Sequence, residues 1–219
     1  MTAANTLLPL TTFQALIIVR IQTFKVGTLS TNCYVADCVE TQDAIIIDPG
    51  LDALSEGEQI FRYVDEKALK VKFLVNTHGH PDQIHGDRFL KKRYSVPICI
   101  HAYDEHFIDA LNGAILPANI LLEDEDLIKF GKVTLKVMHT PGHTPGSISL
   151  VGEKIVFTGD TLFAGGIGRT DFPGGSDRDM RLSLGKLLRL PDNYVVYPGH
   201  GVTSVMGEEK RVNPFLQWL

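Results

Sequence analysis

The chain is 219 residues long, 44% hydrophobic, 21% charged and 8% aromatic, which excludes disorder and fibrous repeats and places it among ordinary globular proteins. A chain of this length buries roughly 70 to 75% of its extended surface, so one compact domain is expected without staples. Lysine and arginine number 21 against 26 aspartates and glutamates, a formal charge of −5. No basic stripe stands out, so a small substrate is expected and a nucleic-acid partner is not.

Residues 1–15 read as an N-terminal extension and 16–219 as a single domain. The apolar stretch Leu7–Val19 holds Pro9, Thr11, Thr12 and Gln14 with no basic residue before it, unlike a signal peptide. No run of 18 apolar residues offers a membrane span, and Cys33, Cys38 and Cys99 form no C-x-x-C pair. The expectation is a cytoplasmic protein, monomeric or a small homo-oligomer, away from membranes.

The chain opens as a meander, with strands over Ile17–Phe24, Asn32–Ala36 and Ala44–Ile47. Ser55 with Glu58 is a capping-box signature ahead of a helix carrying Ile60, Phe61, Val64 and Ala68. A buried-type strand, Val71–Val75, then runs directly into Thr77-His78-Gly79-His80-Pro81-Asp82. A helix over Ile84–Tyr94, a strand over Val96–Ile100 and a helical stretch over Tyr103–Leu111 follow. In the second half, Leu127–Phe130 and Val133–Met138 read as a hairpin about Gly131, with Ile148–Val151 and Ile155–Thr158 as further strands. Ser176 caps a helix whose Met180, Leu184, Leu187 and Leu188 form one apolar face, and Tyr194–Tyr197 reads as the last strand. Two strand-rich halves closing with helices suggest two packed sheets with helices outside, and no linker divides them.

Five of the eight histidines, His78, His80, His85, His143 and His200, lie in short segments rich in Gly, Pro and Thr, mostly just after predicted strands, and Asp160 is placed likewise. A single histidine in such a place is an ordinary loop residue, but the joint pattern points to ligands gathered by a rigid scaffold. Imidazole and carboxylate without thiolate suit a catalytic zinc, with iron or manganese as the other candidates. His78 and His80 are two apart in an extended segment and can face one ion, with Gly79 allowing a tight turn between them.

Thr77-His78-Gly79-His80-Pro81-Asp82, Thr140–Ser147 about His143, Phe157–Phe163 about Asp160, and Tyr197-Pro198-Gly199-His200-Gly201 resemble the successive metal motifs of the metallo-β-lactamase superfamily. Gly166–Gly175 and Gly207–Phe215 resemble the short, single-domain branch of its glyoxalase II-like hydrolases. The resemblance implies an α+β fold, a four-layer αββα sandwich with the metal cleft at the sheet ends. It implies one metal on His78, His80 and His143, a second on Asp82 and His200, and Asp160 bridging, so that one or two ions are held. The family pattern continues after the aspartate with a histidine ligand, and here Gln83 stands in that place. A neutral amide is a poor ligand beside imidazole, so second-site affinity should fall. His85 lies near enough to substitute, or is an exposed residue of the following helix.

The resemblance further implies hydrolysis of a thioester, S-acylglutathione or a similar acyl-thiol, because a bound metal lowers the pKa of its water to about 7 and polarises the carbonyl. Asp82 would orient that hydroxide and protonate the leaving group. Arg169 and Asp171 are either a structural ion pair of the Gly-rich loop or, through Arg169, a clamp for a substrate carboxylate. The glyoxalases of full length carry a further C-terminal helical region for glutathione, for which this sequence leaves no room after Trp218-Leu219. Two other readings stand beside the hydrolase. One is a mononuclear iron persulfide dioxygenase with His78, His143 and Asp160 as its triad, and the other a metal-binding module with weakened catalysis. A nuclease lacks its inserted domain here, and a β-lactamase is disfavoured by Asp160, where the zinc enzymes commonly place a cysteine.

Overall fold

The computed structural model describes residues 18–106 and 118–217. The extension 1–15, the part of the helical stretch Tyr103–Leu111 beyond 106, and Trp218-Leu219 lie outside these residues. The first sheet has the order β1 (Val19–Val26), β2 (Thr31–Cys38), β3 (Asp43–Ile47), β4 (Lys70–Val75), β5 (Ile98–His101) and β6 (Ile120–Leu122). Its first three strands are antiparallel and the last four parallel. The second sheet holds β7 (Leu127–Phe130), β8 (Val133–His139), β9 (Ile148–Val151) and β10 (Ile155–Gly159), an antiparallel run. β11 (Leu162–Phe163) and β12 (Gly166–Ile167) form a small ribbon, and β13 (Val195–Pro198) and β14 (Ser204–Val205) complete the second sheet beside β10.

Strand parity separates three cores and so sets four layers. Along β2, Cys33 and Val35 face outward to the helices α1 (Glu58–Glu66), α2 (Pro81–Ile84) and α3 (Asp87–Tyr94), through Ile60, Val64, Ile84 and Leu90. Tyr34, Ala36 and Cys38 point the other way and meet Phe130, Leu135, Val137, Leu150 and Phe157 of the second sheet. On the far side, Val156 and Val196 pack under Met180, Leu184 and Leu187 of α4 (Asp177–Leu187) and Met206 of α5 (Met206–Val212). Strands covered on both faces need apolar side chains at every position, which is why β3 reads Ala44-Ile45-Ile46-Ile47. This is the four-layer αββα sandwich the resemblance implied. Among the described residues no helix is long and apolar enough to cross a membrane.

Several local expectations are corrected. Ser55 makes no cap; Leu54–Gly57 is a 3-10 turn, and the Glu56 carboxylate instead accepts from the Gly27 and Asp52 amides. The expected helix Ile84–Tyr94 is broken at His85-Gly86, where a Cβ on Gly86 would lie 2.0 Å from the Pro49 carbonyl oxygen. Tyr194–Tyr197 is not the last strand, because the short β14 turns back along β13 ahead of α5. Ser176 caps as expected, its hydroxyl accepting from Asp179 N.

Asp87, at the start of α3, is fully buried; its Oδ2 accepts from Asn76 Nδ2 at 2.6 Å and its Oδ1 meets no protein donor. Burial pushes its carboxyl up to about 7. The unfolded chain gives up this proton near pH 4 and the folded protein near 7, so folding loses stability as pH rises between the two and is level above. Asp87→Asn removes that loss, less the cost of one unsatisfied amide. The variant should gain on the order of 2 kcal/mol at pH 8 and progressively less toward pH 5, measured by urea unfolding across that range.

Candidate metal centre

The strand directions bring the motif loops to one edge. β8, β10 and β13 all run the same way, so His143, Asp160 and His200 leave from one end of the second sheet. β3, β4 and β5 are likewise parallel, placing Asp48, His78 and Asp104 at one end of the first. The two ends are stitched by hydrogen bonds: Ile148 N donates to Thr77 O at 2.8 Å, Asn32 N to Gly199 O at 2.7 Å, and Tyr34 OH to Pro198 O at 2.6 Å.

His78, His80 and His143 have their ligand atoms within 4.8 Å of one another. His80 Nδ1 and His143 Nε2 are 2.8 Å apart. Asp160 Oδ2 lies 3.5 Å from His143 Nε2 and 3.5 Å from His200 Nε2, between the two ends of the cluster. Asp82 Oδ2 is 3.1 Å from His200 Nε2. All six residues singled out from the sequence as ligands therefore converge. His85 does not: it caps α2 and turns toward Asp52, 3.9 Å away.

Backbone carbonyls fix the imidazole tautomers. A carbonyl only accepts, so His143 Nδ1–H donates to Arg169 O at 2.8 Å and His200 Nδ1–H to Leu29 O at 3.2 Å, leaving both Nε2 atoms turned to the centre. His78 Nδ1 is 3.2 Å from Thr77 Oγ1, which in turn donates to Asp48 Oδ2 at 2.9 Å. His78 Nε2 and Asp160 Oδ1 are buried without a protein partner. Burial and its neighbouring imidazoles hold His78 far below the ordinary range and His80 down at about 4, so both stay neutral. Burial pushes Asp160 up to about 6 against the pull of His200 and His143. Neutral imidazoles with inward lone pairs beside a buried carboxylate are the donor set of a hard to borderline divalent ion, and the residues fit one.

Gln83 closes the second end. It is fully buried, and its Nε2 lies 3.3 Å from Asp82 Oδ2 and 3.2 Å from His200 Nε2. Asp82 Oδ2 only accepts, so the amide nitrogen belongs on this side and donates to it, while the same carboxylate holds His200 above the ordinary imidazole range.

Two residues missed from the sequence hold the centre together. Asp104 Oδ2 accepts from Gly79 N at 2.9 Å and Thr144 Oγ1 at 2.6 Å, and its Oδ1 from Gly146 N at 2.7 Å. One carboxylate thus ties the His80 loop to the His143 loop. Asp48 accepts from the amide and hydroxyl of Thr77. Gly79 serves here as a donor to Asp104, and it is not among the glycines with positive φ, which corrects the turn expected of it. Close approach matters instead at Gly199, where a Cβ would lie 2.1 Å from Asp160 Oδ1. Arg169 and Asp171 form a two-bonded ion pair, 2.7 Å in each arm, which holds Asp171 down at about 2.

Comparison with known proteins agrees with this geometry. The chain is 36% identical over 192 residues to "Hydroxyacylglutathione hydrolase GloC" of Haemophilus influenzae, covering 81% of this chain and 89% of that one. It is 37% identical over 193 residues to "Persulfide dioxygenase ETHE1, mitochondrial" of Bos taurus, covering 85% and 71%. The crystal structure of the BLEG-1 B3 metallo-β-lactamase superposes with a TM-score of 0.81 at 33% identity, covering 90% of this chain and 99% of that one. The family model of the metallo-β-lactamase superfamily matches residues 26–200, and the chain belongs to that superfamily.

Proposed function

We propose that the protein is a metal-dependent thioesterase of the glyoxalase II-like kind, working with one tightly held ion. The observation that carries this is the convergence of His80, His143 and Asp160, with Asp82 beside them, on the floor of an open cleft of about 630 Å3, and of His78 buried against them. His78, His80, His143 and Asp160 would hold the ion, zinc in the first instance. When bound, it supplies hydroxide at neutral pH and polarises the carbonyl.

Asp82 sits in the first turn of α2 with Oδ2 held by Thr31 Oγ1 at 3.3 Å and by Gln83. From there it orients the attacking water and takes its proton. The new C–O bond forms at the carbonyl carbon, and the C–S bond breaks with its electron pair on sulfur. Asp82 returns the proton to that sulfur, so one water yields a carboxylic acid, which ionises, and a thiol. The inward tautomers of His143 and His200 need no rearrangement during these steps.

The one-ion geometry also favours a second reading, persulfide dioxygenase chemistry on a single iron held by His78, His143 and Asp160. Elemental analysis of protein purified without added metal, with turnover of an acyl-thiol, separates the two. Zinc with hydrolysis supports the thioesterase. Iron with oxygen uptake on a persulfide and no hydrolysis supports the dioxygenase.

Three substitutions test the site. His80→Ala should cut metal content and hydrolysis at least tenfold, on the order of what an essential ligand contributes. Gln83→His should raise stoichiometry from about one ion per chain toward two, read by elemental analysis, since imidazole replaces an amide. Asp104→Ala leaves three buried donors unpaired, and should cost about 3 kcal/mol in unfolding and weaken metal binding roughly 10- to 100-fold.

A further inference from the structure

The walls of the cleft are apolar where the floor is polar. Leu29, Pro81, Phe163, Phe172 and Pro173 line it above the ligand cluster. Phe172 stands edge-on to His80 with ring centroids 5.5 Å apart, and Phe163 edge-on to His200 at 6.1 Å. A substrate whose carbonyl reaches the floor is therefore flanked by an aromatic ring on each side.

Cationic partners are scarce. Among the described residues, Arg169 is the single Lys or Arg lining this cleft. Its Nε and one terminal nitrogen already hold both Asp171 oxygens, and its guanidinium lies over the Phe172 ring, 3.9 Å from the centroid. Lys25, which does not line the cleft, donates its ammonium to the Gly201 carbonyl at 2.8 Å. The residues outside the described ones, 1–17, 107–117 and 218–219, contain no lysine or arginine. The Leu29 loop rests on acids, since Thr28 N donates to Asp52 and Gly27 N to Glu56. A second cavity of about 760 Å3 meets the first at Gly168 and Arg169, and its lining includes Met180, Leu184, Phe215 and Arg181, which makes no ion pair among the described residues.

We propose that this cleft takes acyl thioesters that are apolar and uncharged on both sides of the reacting carbonyl, and that glutathionyl conjugates, with two carboxylates and a free ammonium, are poor substrates. The proposal rests on the thioesterase reading. A carboxylate entering the cleft loses water against Phe163, Phe172 and Leu29 and must compete with Asp171 for the one guanidinium, whereas an alkyl or aryl group exchanges water for apolar wall. Asp171 is then a specificity-determining residue: by occupying Arg169 it withholds the cation that an anionic thiol carrier needs.

The test uses the metal-loaded full chain and one acyl group on two thiols, S-butyrylglutathione and S-butyryl-N-acetylcysteamine. The expected result is a kcat/KM at least about tenfold higher for the uncharged thioester. Asp171→Asn, which keeps the shape of an exposed side chain and removes the charge that holds Arg169, should lower KM for the glutathione ester about three- to tenfold and so narrow its gap to the uncharged ester. Equal or better use of the glutathione ester overturns the proposal while the thioesterase reading stands. If Arg181→Ala then weakens that use, the second cavity is where the carboxylates dock. Absence of turnover on either ester, with metal bound, overturns the thioesterase reading and this proposal with it.

Discussion

Acceptor atoms facing one another across a few ångströms dominate this molecule. Asp82 Oδ2, Asp160 Oδ2 and the Nε2 atoms of His143 and His200 lie within 3.1–3.5 Å of their neighbours, an arrangement that repels itself unless protons or a cation stand between. The rest of the fold is what keeps it from relaxing apart. Parallel strands deliver the loops to one edge, backbone carbonyls lock the imidazoles, and the buried carboxylates of Asp104 and Asp48 hold the loop backbones from behind.

The two ends of the cluster meet that repulsion differently. At one end His78 Nε2 and Asp160 Oδ1 are buried without a protein partner, which is the condition a metal ion relieves. At the Asp82 and His200 end the Gln83 amide lies 3.3 Å from Asp82 Oδ2 and 3.2 Å from His200 Nε2, where the superfamily resemblance leads one to expect a cation. Gln83 thus sets a hydrogen-bonding group beside Asp82 and His200, where the resemblance implies a histidine ligand.

Arg169 shows how one residue serves the centre through its backbone and the cleft through its side chain. Its carbonyl sets the His143 tautomer, while its guanidinium is spent on Asp171 and stacked on Phe172. The loop that shapes the metal site is therefore the loop that sets the polarity of the wall above it. Gly168 makes this possible: a Cβ there would lie 1.8 Å from the Asp160 carbonyl oxygen.

The sequence by itself determined two strand-rich halves with His, Asp, Gly and Pro at the strand ends, and its resemblance to the metallo-β-lactamase motifs supplied the four-layer arrangement and the six residues that converge in the structure. It also exposed Gln83, since a departure is visible against a local motif. What it could not carry were interactions spanning long stretches of chain. Asp104 and Asp48 look like ordinary loop acids until β5 and β3 are placed beside β4, and the break at Gly86 follows from the Pro49 carbonyl, 37 positions back by number. The Ser55 cap failed for the same reason: a local propensity of about 1 kcal/mol yields to a tertiary contact, here Glu56 holding the Gly27 turn. Whether Arg169 was a clamp or a partner was likewise undecidable along the chain, because the side chain's choice between Asp171 and a ligand depends on which groups the folded cleft sets around it.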